Sequence, residues 1–244
     1  MKEESSKILY DTYISSGHFM ENTNVSKKRL RKEFNGFDKN ILPELSKERS
    51  ISVLEIGFGT GYFLRYLLKN GYNNFWGIEV GKEQYAFALK HVTNRIELVG
   101  NPLNYLEKHQ KSFDIIIMLD VMEHIPKNKV IQYFKAIYGS LKAEGRLILR
   151  VPNGSNPFNM GAIYHDFTHE TVFTMRSINQ IGRSIGFADI KVAGFKEETL
   201  TLHGKFTTLS QTIIFYFMNV VIRLQRLHFD NSPLHKNIMA VLRK

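Results

Sequence analysis

The chain of 244 residues contains no cysteine. That absence excludes a disulfide framework, a zinc ribbon, a thiolate cluster and a cysteine nucleophile. It fits a reducing compartment. The chain also lacks an apolar run of ~20 residues, the length that a membrane-spanning helix needs. Its longest uncharged run in the C-terminal part, residues 206–222, is 17 residues long and is broken by Thr207, Thr208, Ser210, Gln211, Thr212 and Asn219. The first seven residues are polar and have no apolar centre of the kind a signal peptide carries. A cytoplasmic protein is therefore expected. Repeats with a period of about 20–50 residues are missing as well, which excludes solenoids and propellers.

Acidic residues are in deficit, 23 against 33 basic ones, for a net charge of +10. The imbalance is uneven. Residues 1–50 hold 10 basic and 8 acidic side chains, residues 51–202 hold 17 and 14, and residues 203–244 hold 6 and 1. The excess thus falls on the segment that also carries the apolar run. That pairing points to an anionic surface, a membrane or a charged glycan. A solvated basic surface explains the same pattern, and nucleic acid is the third reading. With 43% hydrophobic and 23% charged residues, the composition is that of an ordinary globular protein.

Residues 1–50 read as a helical N-terminal extension. In it Lys27, Lys28, Arg29, Arg31 and Lys32 form the solvated face of a helix that turns Leu30 and Phe34 inward, or, on the sharper reading, a phosphate-binding cluster. From residue 51 the pattern alternates. Strands are expected at 52–56, 75–80, 96–99, 113–119 and 146–151, with helices at 63–68, 84–91, 129–141 and 177–185. This is an α/β order, and it predicts a doubly wound, mostly parallel sheet with helices on both faces. Residues 187–195, and a second segment at 199–202, are expected as an antiparallel edge. The domain then spans 51–202, with an insertion at 153–174. Residues 203–244 form a basic amphipathic tail that ends in a short strand at 237–242. In such sheets ligands bind where strands run into loops at the carboxyl edge.

The first of these loops is Glu55-Ile56-Gly57-Phe58-Gly59-Thr60-Gly61. Glycines there permit positive φ and close approach of a ligand to the backbone. Glu79 follows 24 residues after Glu55, at the end of the second strand, where a carboxylate can accept both hydroxyls of a ribose. A dinucleotide loop would place its third glycine at position 62, which is Tyr62. The sequence instead resembles the class I S-adenosylmethionine-dependent methyltransferases, whose E/D-x-G-x-G-x-G motif is matched by Glu55, Gly57, Gly59 and Gly61. The resemblance covers residues 50–195 and implies a Rossmann-like fold. It implies that the loop, with Thr60, wraps the methionine part of the cofactor, that Glu79 and Val80 sit at the ribose, and that Leu119 and Asp120 lie near the methyl donor. It also places Asn101 and Pro102 at the adenine, where the family often has an acid.

After the central strand comes Asp120-Val121-Met122-Glu123-His124-Ile125-Pro126. It resembles the D-V-x-E-H-[IV] form of small-molecule O-methyltransferases, including those of ubiquinone biosynthesis. If the segment is one helical turn, Asp120, Glu123 and His124 share a face. His124 is then a candidate general base, because an unperturbed imidazole titrates near neutrality. Two other readings stand beside it: the trio binds a divalent cation, or it braces the loop. No metal is assigned. The insertion carries His165, Asp166, His169 and Glu170 close together, and resembles methyltransferases of cell-surface glycans. His169 is the second candidate base, and Asp166 would orient an imidazole. Against that, Thr168 or Thr174 starts a helix.

These readings converge on a methyltransferase that acts on a saccharide hydroxyl in polysaccharide biosynthesis, with histidine-assisted proton removal. A prenylated phenol is the near alternative. An RNA methyltransferase or nucleic-acid module is disfavoured, because the loop after the fourth strand lacks the Asn/Asp-Pro-Pro-aromatic motif of base-amine enzymes. The tail is expected to dock on the core, pair two subunits in a homodimer, or touch a membrane peripherally.

Overall fold

The computed structural model describes residues 27–196 and 233–244, together with Thr12, Ile14, Ser15, Ser210 and residues 213–218, 220, 221 and 224. Seven strands make one sheet: β1 (Val53–Ile56), β2 (Phe75–Glu79), β3 (Ile96–Leu98), β4 (Phe113–Leu119), β5 (Leu141–Pro152), β6 (Asp189–Gly194) and β7 (Asn237–Arg243). Their spatial order is β3-β2-β1-β4-β5-β7-β6. The first five run parallel to one another, while β7 runs antiparallel to both β5 and β6.

The apolar run 115–119 of β4, which follows Asp114 at the strand's start, is explained by burial on both sides. Ile116 and Met118 enter one core, and Ile115 and Ile117 enter the other. Side chains along a strand alternate between faces, so a strand covered on both must be apolar throughout. Helices α1 (Lys27–Asn40), α2 (Tyr62–Lys69) and α3 (Lys82–His91) feed one layer with Phe34, Phe37, Phe63, Tyr66 and Ala88. Helices α4 (Pro102–Lys108), α5 (Val130–Ser140) and α7 (Met175–Ile185) feed the other with Leu106, Phe134, Ile137 and Ile178. Helix α6 (Met160–Tyr164) is a short turn within the insertion.

The mostly parallel, doubly wound sheet with helices on both faces is therefore as expected. Three local differences have physical causes. The edge expected at 187–195 forms as β6, but its partner is β7, so the last strand of the tail segment is an inner strand of the sheet; residues 199–202 lie outside the described residues. Helix α4 was not anticipated, although Asn101 caps it by accepting the Leu103 N–H at 2.9 Å and Pro102 opens it. Strand β5 begins five residues early, at Leu141, with a register shift against β4 between Phe113 and Ile115. In the insertion it is Thr174 that starts a helix, as half of a capping box with Ser177.

Candidate active site

The loop after β1 places Gly57, Gly59 and Gly61 at φ of 70°, 53° and 79°. A Cβ on Gly57 would stand 2.6 Å from Val121 Cγ2, whereas one on Gly59 would meet nothing within 4 Å. Gly57 thus has no room for a side chain, whereas Gly59 opens onto free space and favours glycine through its positive φ alone. Glu79 ties this loop to the end of β2. Its Oε2 accepts the Gly59 N–H at 2.9 Å, and its Oε1 accepts those of Val80 and Gly81 at 2.8 and 3.0 Å. Burial nonetheless pushes the carboxyl up.

Glu55 lies within β1, is 3% exposed, and has no partner for Oε2. Burial and then the Glu79 charge raise its carboxyl well above the usual range, partly offset by Arg150. Thr60 is buried with an unpartnered hydroxyl. A buried polar atom without a partner marks a place for a ligand that can satisfy it. Glu55, Gly57, Gly59, Thr60, Glu79 and Val80 all line one cavity of about 1,090 Å³. So do Asn101, Pro102, Leu119 and Asp120. Gly61 does not; it caps α2, and a Cβ there would meet Val92. The side-chain oxygen of Asn101 serves the cap of α4, which makes it a weaker candidate for an adenine amine.

At the end of β4, Asp120 takes a left-handed φ of 57°. It is held by Arg150 of β5, whose Nε donates to Oδ1 at 3.0 Å and whose Nη2 donates to Oδ2. The guanidinium also stacks on Phe195 at 4.8 Å and lies 3.9 Å from Glu33 of α1. Arg150 and Glu33 line the same cavity, as does Arg29, which packs over the Tyr62 ring. Sequence reading passed over Arg150 and Glu33 and placed Arg29 on a basic helix face. The signal was there for Arg150, a lone charge inside Leu147-Ile148-Leu149-Arg150-Val151, and a charge in a two-sided strand needs a partner.

The expected α-helical turn through Asp120, Glu123 and His124 does not form, although the Asp120 charge still acts on both other side chains. Residues Met122–His124 form a single tight 3₁₀ turn, not an α-turn, and Asp120 is committed to Arg150. The group brought together is Glu123, His124 and His169, with one ligand atom of each within 4.8 Å of the others. The two imidazoles meet edge to face, with centroids 4.7 Å apart. His124 Nδ1 lies 2.8 Å from Thr168 Oγ, and that hydroxyl donates to Asp166 Oδ1 at 2.6 Å. Asp166 is thus linked to His124 through Thr168. His169 Nδ1 lies 2.8 Å from the Ile163 carbonyl. Burial and then the nearby His169 lower His124 to about 4, so the expectation of an imidazole poised near neutrality is corrected. His124 faces the large cavity. His169 and Glu123 line a second one of about 120 Å³, and Glu170 borders both.

In the tail segment, residues 213–218 are helical, and Ile213, Ile214, Tyr216 and Phe217 are exposed. Phe158, Met160, Tyr164 and Phe167 of the insertion are exposed too, Phe167 at 91%. Among the described residues no helix is long and apolar enough to cross a membrane.

A family described as a methyltransferase domain matches residues 29–192. No curated protein gives a significant match. Among solved structures, an S-adenosylmethionine-dependent methyltransferase from Archaeoglobus fulgidus is 18% identical, with TM-score 0.64, over 95% of this chain and 99% of its own. A possible histamine N-methyltransferase from Thermotoga maritima is 17% identical, with TM-score 0.59, over 97% and 98%. Phosphoethanolamine N-methyltransferase 2 from Haemonchus contortus, solved with S-adenosylhomocysteine, is 20% identical, with TM-score 0.58, over 93% of this chain and 60% of its own. These identities establish a shared fold.

Proposed function

The chain belongs to the methyltransferase-domain family, and we propose that it transfers a methyl group from S-adenosylmethionine to a hydroxyl of a saccharide acceptor, of the type found in cell-surface or lipopolysaccharide glycans. The observation that carries this reading is the single cavity that joins the glycine loop and Glu79 at one end to His124 and Glu170 at the other. The first end has the unpartnered groups that a sulfonium nucleoside would satisfy. Glu55 offers a buried carboxyl oxygen toward its cationic amino-acid arm, and Thr60 a hydroxyl. Glu79 keeps lone pairs beyond its three backbone bonds for ribose hydroxyls. The cofactor supplies a methyl group made electrophilic by positively charged sulfur.

What the chain supplies is alignment and a place for the proton. The other end sets His124, Asn128, Lys129 and Glu170 among the apolar Val121, Ile125 and Pro126, a mixture of donors and acceptors that a polyol can use. A sugar hydroxyl is a poor nucleophile near pH 7, so proton acceptors must be within reach. His124, kept neutral by burial, faces the cavity that would take the hydroxyl, and His169 stands edge-on to it. The exposed apolar side chains on the insertion and on residues 213–217 favour an acceptor carried on a lipid, met at a membrane surface.

The test is release of S-adenosylhomocysteine when the protein is given the methyl donor with lipid-linked saccharides, with prenylated catechols, or with RNA. Turnover on the saccharide, abolished by Glu79→Ala, is expected. Turnover on the catechol or the RNA alone would replace the acceptor assignment.

A further inference from the structure

We propose that the insertion after β5 carries a rigid apolar wedge that seats this chain on an anionic membrane surface. Phe158, Met160 and Tyr164 are more than half exposed, and Phe167 is 91% exposed. The backbone beside them is held in place. The Phe158 N–H donates to Asn156 Oδ1 at 2.9 Å. Met160 and Tyr164 open and close α6, which is pinned from within by the buried Ile163. Phe167 stands between Asp166 and Thr168, both buried, and Asp166 Oδ1 accepts the Thr168 N–H at 2.8 Å and its hydroxyl at 2.6 Å. Two neighbours fixed inward leave the Phe167 ring only the outward direction. Apolar side chains that a fixed backbone turns to water mark a surface that meets something outside the chain.

The wedge does not stand alone. Three buried asparagines fasten the insertion to the chain that follows the tail segment. Asn153 Nδ2 donates to the His235 carbonyl at 3.0 Å, Asn156 Nδ2 to that of Leu234 at 2.8 Å, and Asn159 Nδ2 to that of Lys236 at 2.6 Å. The His235 ring in turn lies 6.4 Å from the ring of Phe215, in the stretch whose Ile213, Ile214, Tyr216 and Phe217 are exposed. These contacts link the two apolar sets. Charge then selects the partner. Of the insertion's two acids, Asp166 is buried and Glu170 borders the cavities. Lys196 lies close enough to His235 to act on its charge, and residues 203–244 hold 6 basic side chains against 1 acidic one. Aromatic rings backed by excess positive charge match a bilayer with anionic headgroups. Tyr164 also lines the small cavity with Glu170, which borders the large one. A seated wedge thus brings the acceptor end beside the headgroups, where a lipid-carried acceptor keeps its anchor in the bilayer. That consequence rests on the acceptor reading, whereas the docking itself does not.

The experiment uses the full chain, free of donor and acceptor. Flotation is measured with vesicles of phosphatidylcholine mixed with phosphatidylglycerol, and with vesicles of phosphatidylcholine alone. Binding is expected to the anionic vesicles, about tenfold stronger than to the neutral ones. Phe158→Ser, Met160→Ser and Phe167→Ser together should lower it about tenfold. None of the three lines either cavity, so S-adenosylhomocysteine affinity should be unchanged and shows that the variant folds. Phe167→Trp is an independent readout. Against the parent, whose one tryptophan is Trp76, its emission should shift to the blue when anionic vesicles are added. Flotation that survives the triple substitution, or an added tryptophan whose emission does not move, overturns the wedge. Equal flotation with both kinds of vesicle overturns the selection by charge. A triple variant of lower molecular mass in sedimentation, with flotation unaltered, would assign the face to a second copy of this chain and overturn the proposal. Vesicle binding without methyl transfer to any lipid-linked saccharide would refute the acceptor assignment and leave the wedge standing.

Discussion

Arg150 clamps Asp120 through two parallel hydrogen bonds, from Nε to Oδ1 at 3.0 Å and from Nη2 to Oδ2. The pair joins the carboxyl ends of β4 and β5 at the floor of the cavity. It also holds Asp120 in a left-handed conformation that costs a non-glycine residue about 1–2 kcal/mol.

Arg150→Met should therefore do more than remove a charge. It leaves Asp120 and Glu33 without their cation and removes the positive charge that offsets Glu55. Because Asp120 is 42% exposed, the loss is discounted from that of a fully buried pair to about 2 kcal/mol. Urea denaturation reads the stability. Arg150→Lys should recover only part of it, since an ammonium cannot make the two parallel bonds.

The three loop glycines should separate by mechanism. Gly59→Ala adds a methyl group that meets no protein atom within 4 Å, so it should cost only the backbone conformation, about 1 kcal/mol. Cofactor affinity should fall much further, because the methyl enters the cavity. Gly57→Ala drives a Cβ to within 2.6 Å of Val121 and should destabilise the fold itself by several-fold more than Gly59→Ala. Calorimetry with S-adenosylhomocysteine beside thermal melts distinguishes the two. Equal losses in both assays for both variants would count against a ligand at Gly59.

His124 ties stability to pH. Its folded value, about 4, lies below the ordinary ~6.5 of an exposed imidazole. The unfolded chain therefore binds a proton first as pH falls. This contribution is fully present above about pH 6.5 and is lost progressively down to pH 4, by as much as ~3 kcal/mol. Glu55, Glu79 and Glu123 are raised and act in the opposite sense, losing stability as pH climbs above the usual carboxylate range. The difference between parent and His124→Asn isolates the histidine. In chelator-treated protein, the variant's stability should fall less between pH 6.5 and 4. Parallel curves would show that His124 is not buried neutral.

The exposed apolar residues of the tail segment give a fourth test. Replacing Ile213, Tyr216 and Phe217 together with Ser should lower flotation with anionic vesicles at least tenfold, while cofactor affinity stays unchanged. A drop in molecular mass by sedimentation, with flotation unaltered, would assign this face to a second subunit instead.

The glycine loop, the parallel sheet and the central strand were legible because each depends on local pattern: positive-φ glycines, alternation of strand and helix, and an apolar run. Helix α4 was marked by Asn101-Pro102, but seven residues are too few for an amphipathic period to show. The site was legible only in parts. Asp120 to His124 reads as a helical turn, but Asp120 is bonded to Arg150, and the group that gathers is Glu123, His124 and His169. Neither grouping follows from spacing, since each depends on which strand lies beside which. The link from Asp166 to His124 was hidden for the same reason. A hydroxyl, Thr168, mediates it, and a single threonine beside two histidines carries no signal of its own.

The position of β7 has a consequence for how the chain is made. Strands β1 to β5, and every loop that lines the cavity after them, leave the ribosome well before residues 237–243. Until those residues arrive, the outer edge of β5 and both edges of β6 present unpaired N–H and C=O groups, the kind of edge that invites pairing with another chain. A ribosome paused between residues 195 and 237 therefore holds a nascent chain whose cavity-lining strands are all synthesised but whose sheet has a gap one strand wide. An unpaired edge held open through that interval is a hazard for aggregation.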